Sequence, residues 1–597
     1  MLEKLSDYLK INGAEQPKKV PNSNKITYVH RGNGLPQLYE FDLVTREERP
    51  FVLTDGRVLS VNHSKSGMYT VLSIDYKGNE KKQLFLYHQQ TKKLKRLVYA
   101  LDHFHTFGDF SPNEKKIIYT SYQKEEQGYH VHIIDVETEK GDLLFRCEGA
   151  CTVVKWMKDC DHVVVQLQET NIDSSYWIIN LQDLSKVRIG VKDKLARYQS
   201  VVFSKNQEKG FLLSDVNSEY MHLYQFSLSH PQELIPVIQS IPWDIEEMKL
   251  SKDETKIALT VNQGGVSLIY VYDIANNSLK KMEELPIGVT SHITWLDNRS
   301  FFFLLKGPQM PGEVHIYDLL KRTLTRLTDT GYSDALQLRK YNPEMCAFKS
   351  FDELEIPYFY YANSKNPKGA VIYVHGGPEN LSRVDFNPIL QGLVHMGISV
   401  FVPNIRGSKG FGRKYLSLDD RRKRLDAAKD IKALAQVAFD KHGIQKDKLG
   451  IMGRSYGGFI VNTVIGHYPN LWSAAVSIVG ISHIRTFLEK TGSYRRLLRE
   501  YEYGFLSEDK SFFDEISPLC HAKQVSVPLL MCHGQNDSRV PVEESKQFKE
   551  KLTKLGKDVT LIISEEDGHQ MGGQTSSMAS YQSMQFKVGE FFDRYLN

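Results

Sequence analysis

Between residues 25 and 335 short apolar runs come in groups of three or four, separated by turn residues, and one type of run ending recurs. The endings fall at Asp42, His88, Asp135, Asn180, Ser227, Asp273 and Asp318, each preceded by aromatic or branched residues and spaced 45 to 47 residues apart. A second element keeps the same period: Phe110-Ser111-Pro112-Asn113 stands before Ile117-Ile118-Tyr119, and Leu250-Ser251-Lys252-Asp253 before Ile257-Ala258-Leu259. A unit of this size cannot bury its apolar face alone, so neighbouring units must stack. Seven such units predict a seven-bladed β-propeller at residues 25–335, preceded by an N-terminal extension at residues 1–24.

After Tyr341-Asn342-Pro343 the pattern changes. Apolar runs at Ala370–Val374, Ile398–Val402, Leu449–Met452, Ala474–Val479, Val527–Met531 and Val559–Ile563 alternate with segments of helical period. In one of these, Leu425, Ala428, Ile431, Leu434 and Val437 share a face, and Gly443 follows as a stop. Continuous branched runs alternating with helices predict a mainly parallel sheet covered on both faces, here residues 336–597, with its site at the carboxyl ends of the strands.

Length and charge limit the function classes. A chain of 597 residues exceeds what one hydrophobic core supports. Its 76 basic and 72 acidic residues leave a formal charge of +4, too little to suggest a nucleic-acid partner. No apolar run approaches a membrane span, and Met1–Val20 carries Glu3, Lys4, Asp7 and Lys10 where a signal peptide needs an apolar stretch. Six cysteines make no disulfide framework, so a cytoplasmic protein is expected. Cys147, Cys151, Cys160 and His162 match no usual zinc spacing, and neither a metal nor a cofactor is expected. Self-association stays open.

The candidate chemistry centres on Gly453-Arg454-Ser455-Tyr456-Gly457, between an apolar strand and a helix that runs to Tyr468. This is the pattern of a nucleophile elbow, which holds a serine at the tip of a strand-to-helix turn. Serine needs a base, and the base an orienting acid, in the chain order Ser, acid, His. His569 is the only histidine after the acid best placed for the role, Asp537, which follows the strand Val527–Met531. Glu565, Glu566 and Asp567 lie too near His569 in sequence to approach it from a separate strand and read as solvated loop charges. Two fixed donors for an oxyanion are expected at the N–H of Tyr456 and in His375-Gly376-Gly377-Pro378, with Gly377 preferred over Gly376. His375 and His533 each end a strand before glycine and read as structural.

A propeller followed by His375-Gly376-Gly377-Pro378, Asn404-Ile405-Arg406-Gly407-Ser408-Lys409-Gly410-Phe411-Gly412, Gly453-Arg454-Ser455-Tyr456-Gly457-Gly458 and Asn536-Asp537-Ser538-Arg539-Val540-Pro541 resembles the prolyl oligopeptidase family of serine peptidases. The His-Gly-Gly-Pro loop makes it most similar to the acylaminoacyl peptidase branch. The resemblance implies hydrolysis of short or N-acylated peptides, with the propeller placed over the site to exclude folded proteins. Prolyl endopeptidases stack proline on a tryptophan, whereas Trp472, the only tryptophan of this hydrolase domain, reads as core. Dipeptidyl peptidases hold a free amino terminus with paired glutamates in an aromatic context, which Glu125-Glu126 and Glu246-Glu247 lack. Ile481, Phe487 and Tyr494 are candidate walls of the first specificity pocket, or core residues. The expected function is an acylaminoacyl-type exopeptidase or broad oligopeptidase. A carboxylesterase, or a propeller-based binding protein with a vestigial hydrolase domain, is the alternative.

Overall fold

The computed structural model describes residues 2–123, 126–283, 285–364 and 367–597; Glu125 lies outside them. Seven four-stranded antiparallel sheets follow one another at residues 15–52, 57–98, 104–146, 151–189, 198–238, 244–281 and 289–326. Each is built from four consecutive strands, and apolar side chains fill the spaces between adjacent sheets. Val29 and Leu38 of the first, for example, pack against Val58, Val61, Leu72 and Ile74 of the second. Among the described residues no strand is exchanged between first and last sheets. The ring closes through side chains, with Ile26, Tyr28 and Phe41 against Phe302, Leu304 and Val314, through an ion pair of Lys306 with Glu15, and through the Ala14 N–H donating to the Gly312 carbonyl at 2.8 Å.

The stretch 1–24 is divided between both halves of the molecule. Glu15–Lys19 is the first strand of the first sheet. Its sequence, Glu-Gln-Pro-Lys-Lys, has no apolar alternation, which is why the pattern alone places the propeller's start ten residues later. Leu2–Lys10 is a helix whose Leu5 and Leu9 lie in the hydrolase core with Leu390, Leu393, Val588 and Phe592. It approaches so closely that a β-carbon on Gly392 or Gly589 would stand 2.3 or 2.1 Å from Leu5 side-chain atoms.

The hydrolase half contains one eight-stranded sheet: β1 (Glu344–Lys349), β2 (Glu355–Tyr361), β3 (Gly369–Val374), β4 (Ile398–Pro403), β5 (Leu449–Arg454), β6 (Ala474–Ile478), β7 (Leu529–Gly534) and β8 (Val559–Ser564). The spatial order is β1-β2-β4-β3-β5-β6-β7-β8, antiparallel at β1-β2-β4 and parallel from β4 onward. All six predicted apolar runs are strands. The antiparallel pair β1-β2 escapes the pattern because β1 is an edge strand with mostly exposed side chains. Helices cover both faces, and Trp472 is core, as read. The order of β4, β3 and β5 reverses the direction of winding, and the carboxyl ends there point at the propeller.

Candidate active site

Ser455 sits between β5 and the helix Tyr456–His467, with φ 56° and ψ −117°, a left-handed conformation costly for a residue with a side chain. Glycine is required around it by close approach. A β-carbon on Gly453 would stand 2.3 Å from the Gly457 carbonyl oxygen, and one on Gly457 would stand 2.1 Å from that of Val374. The Ser455 N–H donates to the Ile478 carbonyl on β6 at 2.8 Å, fixing the tip to the sheet.

His569 arrives on the loop after β8 and Asp537 on the loop after β7. His569 Nε2 is 3.1 Å from Ser455 Oγ, and His569 Nδ1 is 2.8 Å from Asp537 Oδ2 and 3.0 Å from Oδ1. Asp537 Oδ1 also accepts the N–H groups of Arg539 at 2.8 Å and Val540 at 2.9 Å. Burial opposes the carboxylate's charge. The attraction of His569 and the hydrogen bonds from His533 and His569 outweigh it and hold Asp537 well below the usual carboxylate range. Burial lowers the proton affinity of His569, against the pull of Asp537, so the imidazole is neutral at pH 7 and able to accept a proton.

The N–H of Tyr456 opens its helix and therefore has no intrahelical acceptor. Gly377, at φ +138°, lines the same cavity as Ser455, and a β-carbon there would stand 2.7 Å from the Glu379 nitrogen. Gly376 lines it as well. His375 is buried against Ser408 Oγ at 2.8 Å and the Gly376 carbonyl at 2.7 Å, and burial pushes its pKa down to about 4. His533 is enclosed between Ser545 Oγ and the Val540 carbonyl. Both are held by these contacts, and His533 Nε2 also lies 3.3 Å from Asp537 Oδ2.

Two expectations need correction. Glu565 and Glu566 are exposed, but Asp567 is 1% exposed. It accepts hydrogen bonds from Ser564 and Ser576 at 2.7 and 2.8 Å and from Ser580, tying down the loop that carries His569. Ile481 and Phe487, each 2% exposed, belong to the hydrolase core and do not line the cavity at Ser455. The cause is the helix Ile484–Lys490, which turns its apolar face inward directly after β6. Tyr494 lines an adjoining cavity between the two halves, edge-on to Tyr122 and Tyr129 of the propeller at 4.6 and 5.0 Å.

Other residues around the triad carry no local sequence signal. Arg454, the variable position of the elbow, donates to the carbonyls of His569, at 2.9 Å, and Met571, anchoring the histidine loop to β5. Glu80 of the propeller accepts from Arg539 Nε and Nη2 at 2.6 Å and from Ser538 at 3.2 Å, two residues or fewer from Asp537. Gly78 presses on Gly568, where a β-carbon would stand 2.0 Å from the Gly78 oxygen. One propeller turn thus touches both loops that carry Asp537 and His569. Only a loop that is remote in sequence makes these contacts, so no spacing foretells them.

The comparisons with known proteins agree with this geometry. Residues 384–597 match the model of the prolyl oligopeptidase family. The chain is 27% identical to dipeptidyl aminopeptidase BIII of Pseudoxanthomonas mexicana over 308 residues, which cover 49% of this chain and 44% of that one. It is 31% identical to the human acylamino-acid-releasing enzyme over 207 residues, 33% of this chain and 28% of that one. The match therefore spans less than half the length of these curated relatives. A puromycin-hydrolysing peptidase of Mycobacterium tuberculosis superposes with a TM-score of 0.86 at 16% identity, covering 99% of this chain and 96% of that one, a likeness of fold. Propeller, sheet order, elbow and matched segment coincide in one molecule, whose residues 384–597 are similar to the prolyl oligopeptidase family.

Proposed function

We propose that the chain is a serine peptidase that hydrolyses short peptides through an acyl-enzyme, as an acylaminoacyl-type exopeptidase or broad oligopeptidase. A propeller near residues 15–335 covers the site, and a hydrolase domain at 336–597 reacts. The observation that carries this reading is the continuous hydrogen-bonded line from Asp537 through His569 to Ser455 Oγ. In the reaction, Ser455 Oγ attacks the scissile carbonyl carbon while its proton passes to His569 Nε2. The oxygen that gains negative charge is held by the N–H groups of Gly377 and Tyr456. Asp537 holds the imidazole in the tautomer with its proton on Nδ1 and stabilises the imidazolium. That imidazolium gives its proton to the leaving amine as the C–N bond breaks. Water then attacks the ester, losing a proton to His569, which returns one to Ser455 Oγ as the acyl bond breaks and the acid leaves.

N-acylated peptides as substrates are favoured by the His-Gly-Gly-Pro loop and by relatives named as acylamino-acid-releasing enzymes. A cytoplasmic location is favoured by six free thiols; no helix among the described residues is long and apolar enough to cross a membrane. Parallel rates on an acetylated amino-acid anilide, an unblocked dipeptide anilide and a short-chain ester test the reading. Turnover of the anilides is expected. Turnover of the ester alone would make the chain a carboxylesterase, and turnover of none would leave a binding protein.

The same reading includes size selection, since a folded protein must unfold locally to thread a segment into a covered site. Peptides of increasing length should show rates that fall steeply past a threshold. Equal efficiency on a short peptide and on unfolded casein would remove the gating role from the propeller.

A further inference from the structure

The cavity at Ser455 has a volume of about 620 Å³, the size of a site for a ligand of a few residues. Five arginines line it, and four have partners. Arg383 pairs with Glu246 at 2.7 Å, Arg499 with Glu379 at 3.2 Å and with Glu502, Arg539 with Glu80 at 2.6 Å, and Arg454 donates to the carbonyls of the histidine loop. Arg495 makes no side-chain hydrogen bond or ion pair among the described residues, and its Nε is buried without an acceptor. Arg495 is only partly buried, and an unpaired guanidinium facing a cavity is the usual partner of a carboxylate, which its planar fork matches.

The surroundings leave that charge uncancelled. Glu379, Glu80 and Glu246 are each engaged by another arginine. Asp385, the remaining acid of the cavity, is pushed by burial towards its neutral form. Burial lowers the proton affinity of Arg495, and Arg499 and Arg539 lower it further against the opposing pull of Tyr494 and Glu80. Arg495 also lines the adjoining cavity on the propeller side, with Lys82 and Arg539 and with Asp75 and Glu80, which are paired to Arg57 and Arg539. It is therefore reachable both from the propeller and from Ser455.

We propose that Arg495 receives the C-terminal carboxylate of a short peptide whose scissile carbonyl lies at Ser455, so that the site selects peptides by their free carboxyl end. The proposal rests on the peptidase reading above and adds the substrate class to it. A carboxylate held this way makes a charge-assisted, partly desolvated contact. Loss of such a contact costs roughly ten- to a hundredfold in kcat/KM.

The test compares acetyl-Phe-Ala carrying a free carboxylate with the same dipeptide as its amide, in the intact chain, in R495M and in R495K. Wild type should prefer the carboxylate by roughly ten- to a hundredfold, R495M should bring the ratio close to one, and R495K should restore part of it. A second pair, acetyl-Phe-Glu-amide against acetyl-Phe-Gln-amide, separates a terminal carboxylate from a side-chain one: a preference confined to this pair would overturn the assignment to the chain end. A wild-type ratio near one, or a ratio unchanged in R495M, would overturn it altogether. Inhibition of ester hydrolysis by the acid and by the amide of one dipeptide reads the same preference without peptide turnover. Failure of the peptidase reading and failure of the Arg495 assignment are then separate results.

Discussion

Replacing Asp537 by asparagine changes one atom and almost no volume, yet the surrounding donors dictate what it does. Asp537 Oδ1 accepts two backbone N–H groups at 2.8 and 2.9 Å, so in D537N the amide oxygen must take that place. The amide NH2 then takes the place of Oδ2, which lies 2.8 Å from His569 Nδ1. A donor facing Nδ1 forces that nitrogen to accept, and the imidazole proton moves to Nε2. Nε2 then presents a hydrogen to Ser455 Oγ across 3.1 Å and cannot take the serine's proton. A wrong tautomer in a serine triad lowers kcat by about 10⁴, or about 5 kcal/mol of transition-state stabilisation. KM should change little, because a ground-state peptide does not contact Asp537. Steady-state kinetics on an acetylated amino-acid anilide read both constants, and a thermal melt near that of wild type shows that the fold is intact. A loss smaller than tenfold would refute the reasoning, as would a larger loss in E566Q than in D537N.

Removing the nucleophile in S455A should cost roughly four to six orders of magnitude in rate with the fold retained; more than a tenth of the wild-type rate would sink the assignment. Because burial lowers the pKa of His569, its neutral form persists to lower pH than for a free histidine. Activity should stay full through pH 7 and fall only below the ordinary histidine value of about 6.5. An acid limb of kcat/KM centred at or above pH 7 would contradict this. In G457A the new methyl would stand 2.1 Å from the Val374 oxygen, so either β3 or the helix must shift. A loss of about 1–3 kcal/mol in urea unfolding is expected, and wild-type stability with wild-type activity would show that glycine is not needed there.

What could be read from the chain follows from how local its causes are. Blade strands and the six parallel strands announce themselves because alternation and branched runs are properties of a few neighbouring residues. Ser455, Asp537 and His569 were legible because each follows a strand end, where a doubly wound sheet collects its site. Arg454, Glu80 and Arg495 were not, since their placement depends on packing between segments more than a hundred residues apart. Asp567 was misread because a nearby loop and a distant propeller strand both close over it. Nothing beside it in sequence tells that Ser576 and Ser580 fold back over it, or that Arg57 of the propeller comes within 3.8 Å. The edge strand Glu15–Lys19 stayed hidden because an edge needs no apolar face to be held by backbone hydrogen bonds.

The chain enters the propeller from a helix seated in the hydrolase core and returns to that domain after the last blade, and these two crossings touch. Tyr8 donates to the Arg339 carbonyl at 2.5 Å, and a β-carbon on Gly331 would stand 1.8 Å from the Asn12 oxygen. Two tethers lying side by side act as a pair of hinge pins. They leave one easy motion, rotation about the line through them, and oppose sliding and twisting. Across the ring from the seam between first and last blades, the clasp is ionic: Arg413 reaches Asp173 at 2.6 Å and Asp215 at 3.1 Å. Such a door swings widest at its clasp and least at its pins, and because Asp173 and Asp215 are buried there, salt screens that clasp only weakly.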